Sequence, residues 1–441
     1  MEETSFEIVE YLVGALADRR KRLATIALKH LPCKTTPFLD LSCDTVLDAD
    51  ASLLTELLTK HNIAVPSSLH VPEGWNTIYH LLEDFYNTVD QSMTLKGCAE
   101  IFYNAGFHDI HRLDGRNKSL LMMQLISTHP KDVAQFHLWL ISKGLRLDHK
   151  SHRLTELREQ VPHSPAALYV SRNLTENICR HWISAFFSRR SRLLKNQWQK
   201  SLEDEEVCML LKMLVDETVT DDCVCGCSLH GCSALTEIFK EAEHCVHGLA
   251  RRGYIPEDYT VARGHFLKYL IEWLDRAKTD TREGFTTDVV RIMTFQRLLL
   301  THTCCTWTKR YRSDDFVIFN AEDRDDIRAE ESEDLAMLES LMEEFEEAFR
   351  ELKLPLPEFL KQYWEPTMAE VMQPGVLDRD SAAKIAELGV VLQPIPTPNS
   401  GSTVPTIRRF RPGVNKDLSS PPGSAKTPTT NGQKHRRRNS C

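Results

Sequence analysis

The sequence predicts an all-α protein: a set of helices with recurring ends, packed on a second, cysteine-rich helical region and followed by a disordered tail. Three observations predict it. Apolar residues recur at three- and four-residue spacing over long stretches. One helix-closing pattern appears three times between residues 39 and 174. After Val391 the composition turns to Pro, Ser, Thr, Gly and basic residues, which leaves too little apolar surface to offset the entropy of ordering.

A chain of 441 residues is long enough for two or three cores. Its 41% hydrophobic and 27% charged content is that of a folded protein. No apolar run approaches the roughly 18 residues that a membrane helix needs, so no membrane role is expected. The start, Met1-Glu2-Glu3, is acidic where a secretory leader is basic, and Cys441 does not stand four from the end as prenylation requires. Thirteen cysteines, odd in number and clustered, fit metal-bound or buried thiols in a reducing compartment better than a disulfide framework. We therefore expect an intracellular protein, cytoplasmic or nuclear.

The net charge of −9 is unevenly spread. From Pro394 onward nine Lys/Arg face Asp417 alone, so the tail carries +8 and the preceding residues −17. Duplex binding rests on neutralising phosphates, so the acidic body is not expected to bind nucleic acid. Lys434-His435-Arg436-Arg437-Arg438 is a short basic cluster of the kind that serves as a nuclear-import signal, and Arg437-Arg438-Asn439-Ser440 suits a basic-directed kinase. A solvated end with no address function is the alternative.

Residues 1–38 read as an N-terminal helix over Phe6 to Leu31, with Ile8, Val9, Leu12, Leu16 and Leu23 on its apolar side. Arg19-Arg20-Lys21-Arg22 reads as its solvated face. In residues 39–174 the recurring pattern is Leu57-Leu58 closing at Asn62, Ile101-Phe102 closing at Gly106, and Trp139-Leu140 closing at Gly144, with three residues between each pair and its closing position. Asn and Gly suit the left-handed position that ends a helix. An apolar, extended stretch follows each. The closing positions are 44 and then 38 residues apart.

Ala99 to Phe107 followed by Leu113 to Leu121 resembles the helix, loop and next-repeat start of an ankyrin protein, with Lys118-Ser119-Leu120 where that family has Thr-Pro-Leu. The fold implied is a degenerate ankyrin-like helical solenoid packed on the second helical region; an irregular helical domain is the alternative. With the cysteine run at 223–232 and Leu300-Thr301-His302-Thr303-Cys304-Cys305, the chain further resembles a group of filamentous-fungal ankyrin-type proteins. That resemblance implies a scaffold that binds a protein partner, its identity unknown, and no catalysis.

Residues 175–320 form the helical cysteine-rich region, with helices expected over Glu176–Lys200, Asp204–Val215, Ala234–Arg251, Val261–Ala277 and Thr287–Leu300. Residues 321–390 carry acidic amphipathic helices. In the strongest, Asp334 is the expected N-cap. Its stripe is Leu335, Leu338, Leu341, Met342, Phe345, Phe349 and Leu352, and Leu354-Pro355-Leu356-Pro357 stops it.

The chemistry concentrates in Asp221-Asp222-Cys223-Val224-Cys225-Gly226-Cys227-Ser228-Leu229-His230-Gly231-Cys232. In an extended segment Cys223, Cys225 and Cys227 project to one side, and Cys232 folds back past Gly231. Zinc favours four thiolate or imidazole ligands in a tetrahedron. We expect about one zinc per chain, held by Cys223, Cys225, Cys227 and Cys232, or by three of these with a ligand from His302, Cys304 or Cys305. His230, His244 and Cys245 are reserves. Buried thiols without metal, and a redox disulfide switch, are the other readings. Cys225-x-Cys227-x4-Cys232 is also similar to the cysteine spacing after the catalytic domain of SET-type lysine methyltransferases, but no other signature of that domain is present. No phosphate loop, H-E-x-x-H or G-x-S-x-G motif occurs. An unrecognised zinc- or thiol-dependent enzyme is the alternative function.

Overall fold

A computed structural model describes residues 2–372, apart from 33–40, 43, 73–75, 83–92, 114–117, 124, 126–128, 155–159, 188–203, 251–265, 269, 276–283 and 305–320. The expected disordered tail and its basic cluster lie outside the described residues. The protein is mostly helical, as the periodicity predicts. Residues 1–369 form one compact unit. Among the described residues no helix is long and apolar enough to cross a membrane.

Helix α1 (Glu2–His30) buries Val9, Val13, Ala17, Leu23, Ala24 and Ala27. Its stripe is thus offset from the expected one: Ile8 and Leu12 face outward, and the buried line uses small residues. Arg20 departs from the solvated face and is buried beside Asp48. Helix α2 (Ala51–Lys60) lays Ala51, Leu54 and Leu58 against Leu23, Ala24 and Ala27, with Leu47 and Val71 closing the cluster.

Helix α3 (Leu95–Asn104) begins where Thr94 Oγ1 accepts from the Gly97 N–H at 3.0 Å, which satisfies one of the orphan donors of the first turn. Helix α4 (Pro130–Ser142) starts on Pro130, whose missing N–H would have no intrahelical partner. It packs against α3, against α5 (Ala166–Phe187) and against α6 (Glu205–Asp216). Lys131 Nζ meets Asp204 at 2.8 Å, and Asp204 also caps α6 by accepting from the Glu206 N–H.

Asn62, Gly106 and Gly144 all adopt the left-handed conformation at helix ends, with φ of 58°, 102° and 95°. Each closes a paired hydrogen-bond motif. Ile63 N–H bonds the Leu58 carbonyl while Asn62 N–H bonds Thr59; Phe107 bonds Phe102 while Gly106 bonds Tyr103; Leu145 bonds Leu140 while Gly144 bonds Ile141. This satisfies carbonyls that the helix leaves open and packs one apolar residue on another across the turn. Downstream come short 3-10 turns, Ser67–Leu69, Ile78–Leu81, Asp109–His111 and Leu120–Met122, and the described residues do not establish the expected ankyrin-like solenoid. Side chains tie these turns together. Tyr79 donates to the Phe107 carbonyl at 2.6 Å, and Asp48 accepts from the Ile78 N–H at 2.9 Å. A two-stranded antiparallel hairpin, β1 (Lys150–Leu154) with β2 (Gln160–Pro165), was not expected from the sequence.

Helix α5 starts ten residues before the expected Glu176 and runs alongside α7 (Ala234–Ala250). Polar groups line their contact. Arg172 Nε lies 3.2 Å from Glu241, and the Cys245 thiol donates to Glu241 at 3.2 Å. A further helical piece covers 266–268 and 270–275. Helix α8 (Phe285–Arg297) ends in the same closing motif as the three above: Leu300 N–H bonds Phe295 and Leu299 N–H bonds Gln296. Here the left-handed residue is Leu299, with φ 60°, so neither Gly nor Asn marks it.

Helix α9 (Ala321–Glu330) leads into α10 (Ser332–Leu352). Asp334 sits within the first turn of α10, and Glu331 occupies the N-cap position without capping. Leu338, Leu341, Met342 and Phe345 are buried against the protein itself, while Leu352 is exposed. The chain then turns at Pro355 and packs back through a helix with a π-turn at Leu360–Trp364, where Trp364 Nε1 donates to Thr294 Oγ1 at 2.9 Å.

Outcomes of two kinds follow from this packing. Gly106→Val forces a left-handed β-branched residue whose Cβ would meet Val46 Cγ2 at 2.8 Å, so urea melts should show a loss on the order of 1 kcal/mol or more. Leu299→Gly removes the same backbone strain from an exposed side chain and should gain about 1 kcal/mol in the same assay. The second concerns pH. Burial pushes the Glu241 carboxyl from 4.5 up to about 7 despite Arg172. The folded chain then keeps a proton that the unfolded chain releases, so stability falls as pH rises from about 4.5 to about 7 and is level above. Compared with Glu241→Gln, the wild type should lose roughly 3 kcal/mol across that window, read from urea melts at each pH.

Candidate metal centre

The stretch between α6 and α7 folds into a compact knuckle rather than a continuous strand. Thr220 and Ser233 pair antiparallel at its base, and the Asp221 N–H bonds the Cys232 carbonyl at 3.0 Å. A tight turn then places Cys225 against Ser228, with the Ser228 N–H on the Cys225 carbonyl at 3.2 Å. The Asp221 carboxylate, itself buried, holds the knuckle shut: one oxygen accepts from the Cys223 N–H at 3.2 Å and from the Cys232 N–H at 2.6 Å. Gly231 is required at the closure. Its φ is 95°, and a Cβ there would come within 2.1 Å of the Asp221 carbonyl oxygen. The extended strand expected for Cys223, Cys225 and Cys227 is replaced by a turn at Gly226, although all three thiols still converge on Cys304.

The second arm descends from the closing motif of α8. By reversing the chain at Leu299 and Leu300, it brings His302 and Cys304 onto the knuckle. Cys225, Cys227, His302 and Cys304 form a group whose ligand atoms all lie within 4.8 Å of one another and which could hold a metal ion. His302 Nδ1 lies 3.8 Å from Cys304 Sγ, and its ring packs on Phe295 with centroids 4.7 Å apart. All three thiols are buried.

Cys223 and Cys232 stand beside this group. Cys232 Sγ is 3.9 Å from Cys227 Sγ, and the Cys304 sulfur is in hydrogen-bonding reach of Cys223, Cys225, Cys227 and Cys232. Of the expected ligands, the structure thus brings together Cys223, Cys225, Cys227, Cys232, His302 and Cys304. Cys305 lies outside the described residues. His230 is exposed, and Cys245 engages Glu241 and Cys179 on the α5–α7 contact. His244 is not part of the ligand group.

The electrostatics favour thiolate at Cys304, while hydrogen bonds to Cys225, Cys232 and Cys304 together with burial push the Cys227 thiol well up. Hydrogen bonds from the four surrounding cysteines hold the Cys304 thiol well below its ordinary value. Burial alone would lower the His302 imidazole, yet Cys225 and Cys304 push it up to about 9. Such a cluster takes up a metal by releasing protons. Sequence reasoning missed Lys240, whose buried ammonium lies 3.1 Å from Cys232 Sγ and 3.4 Å from Glu237. Burial lowers its affinity for a proton, but Cys232, Cys304, Glu237 and Cys227 together raise it well above normal.

Three further residues brace the site from α8, α9 and α10. Buried Arg291 donates to the Gly226 carbonyl at 3.0 Å and pairs with Glu339. Glu331 accepts from the Thr301 N–H at 2.9 Å and the Thr301 hydroxyl at 2.7 Å. Arg328 donates to the Val224 carbonyl at 2.7 Å. Gly226 also allows a close approach, since a Cβ there would meet Leu335 Cδ2 at 2.8 Å. An arginine within an apolar helix face, and acidic residues at a helix junction, were the available signals, and neither states its partner.

Comparison with protein-family models, curated proteins and solved structures gives no match.

Proposed function

We propose that this chain is a protein-interaction scaffold whose cysteine-rich half is built on a structural zinc centre, with no catalysis of its own. The observation that carries this is the closed, buried group of Cys225, Cys227, His302 and Cys304. Zinc–sulfur bonds near 2.3 Å give tetrahedral edges of about 3.8 Å, which such a group reaches with small adjustments. Thiolates and an imidazole suit zinc rather than a hard cation. Four protein ligands leave no open position for substrate, as in structural rather than catalytic zinc sites.

A thiol-dependent enzyme has one observation in its favour, the Cys304–His302 pair at 3.8 Å. Its sulfur, however, is only 4% exposed at the residue level and is surrounded by four other thiols, so no substrate carbon reaches it. The interaction role rests on α1, which leaves Phe6, Ile8, Tyr11 and Leu12 exposed within two turns. A protein partner with an apolar surface fits that face better than nucleic acid fits an acidic body.

The test has two arms. Purified chain should contain zinc, and chelation should lower its melting temperature sharply, because structural zinc supplies roughly 10 kcal/mol or more of coupled folding energy. A metal-free preparation that melts identically contradicts the metal centre. Ile8→Asp with Tyr11→Asp should leave zinc content and melting unchanged while abolishing the cross-linked partners that wild type captures in native cells. Retention of the same partners contradicts the role of α1.

A further inference from the structure

Six ligands converge where one tetrahedral ion takes four. Once Cys225, Cys227, His302 and Cys304 are assigned to a first ion, Cys223 and Cys232 are left over, yet neither is remote. Both backbone N–H groups donate to the same Asp221 oxygen, at 3.2 and 2.6 Å, so this one carboxylate sets the two residues side by side. Both thiols reach Cys304, and Cys232 is 3.9 Å from Cys227. Cys304 thus adjoins both Cys223 and Cys232, and Cys227 adjoins Cys232, while Cys227 and Cys304 both belong to the first group with Cys225 and His302.

We propose that the site holds two zinc ions bridged by the thiolates of Cys227 and Cys304, the first completed by Cys225 and His302 and the second by Cys223 and Cys232. This rests on the zinc reading above and extends it to a second ion. Each ion then has four ligands, as zinc prefers. Charge supports the same count. Five thiolates against two divalent ions leave one negative charge, and the buried Lys240 ammonium, 3.1 Å from Cys232 Sγ and shared with Glu237 at 3.4 Å, stands beside it. A single ion would leave Cys223 and Cys232 as spare thiols. Loading the cluster releases the thiol protons to solvent and changes no oxidation state.

Elemental analysis of the full chain, purified with zinc in all buffers, should give two zinc per chain. Cysteine at 223 and 232 replaced together, Cys223→Ser with Cys232→Ser, should give one, because the first ligand set is intact. Should that variant fail to fold, the wild type loaded with cadmium-113 decides: two resonances coupled to each other through the bridging sulfurs are expected. One zinc per wild-type chain, unchanged in the double variant, overturns the second ion and leaves the single centre standing. Two uncoupled cadmium resonances overturn the bridges. No zinc at all overturns both this proposal and the structural zinc reading.

Discussion

Val224 and Thr303 are 79 residues apart in sequence, yet the Thr303 hydroxyl lies 3.5 Å from the Val224 carbonyl. Beyond the braces from Arg291, Arg328 and Glu331, the two loops that carry them have few contacts of their own to hold them there. Neither belongs to a sheet, and their own apolar residues are few and partly exposed, Val224 and Leu229 among them. What brings the loops together is the thiol and imidazole cluster between them. Buried sulfurs and a buried ammonium crowded into one place cost free energy unless something compensates the polar groups. A bound cation would compensate them directly, which would make the cluster the constraint on which the second half of the chain depends.

The rest of that half is arranged to fix the two loops from behind. Arg291 on α8 reaches the turn carbonyl of Gly226 and is itself held by Glu339 on α10. Glu331, at the junction of α9 and α10, takes both the N–H and the hydroxyl of Thr301. Second-layer contacts of this kind orient ligands and limit how far they move when unloaded. The acidic helices are therefore not an appendage. Their apolar stripe packs on α8, and their junction grips the loop that carries His302 and Cys304.

Helix ends were the most legible part of the sequence. Asn62, Gly106 and Gly144 are chemically marked for the left-handed conformation, and all three adopt it. The fourth instance, at Leu299, carries no such mark and is set by its surroundings: Leu300 packs inward as the closing residue, and the chain must turn there for His302 to reach Cys225. The knuckle was half legible. Cysteine count and crowding pointed to the right segment, but strict alternation placed Cys223, Cys225 and Cys227 on one face. The three thiols do converge, but on a knuckle held by the Asp221 carboxylate and the turn at Gly226, not along a strand, and their partners His302 and Cys304 come from a distant loop. Side-chain partners from distant helices, Lys240 and Arg291 above all, were illegible because each residue's role is set only by what folding brings next to it. In α1 the buried line falls on Val13, Ala17, Ala24 and Ala27, since close helix approach selects small residues where periodicity alone favours Ile8 and Leu12.

The central claim is that metal at the cluster holds the two loops and their braces as one unit. Amide hydrogen exchange on the full chain, zinc-loaded and then chelated, tests it most directly. Chelation should release protection together in 220–233, 284–304 and 331–345, while Leu54 and Leu58 in the α1–α2 cluster keep theirs. Protection that persists in those three segments after the metal is removed, or that is lost uniformly across the chain including α2, would contradict the account.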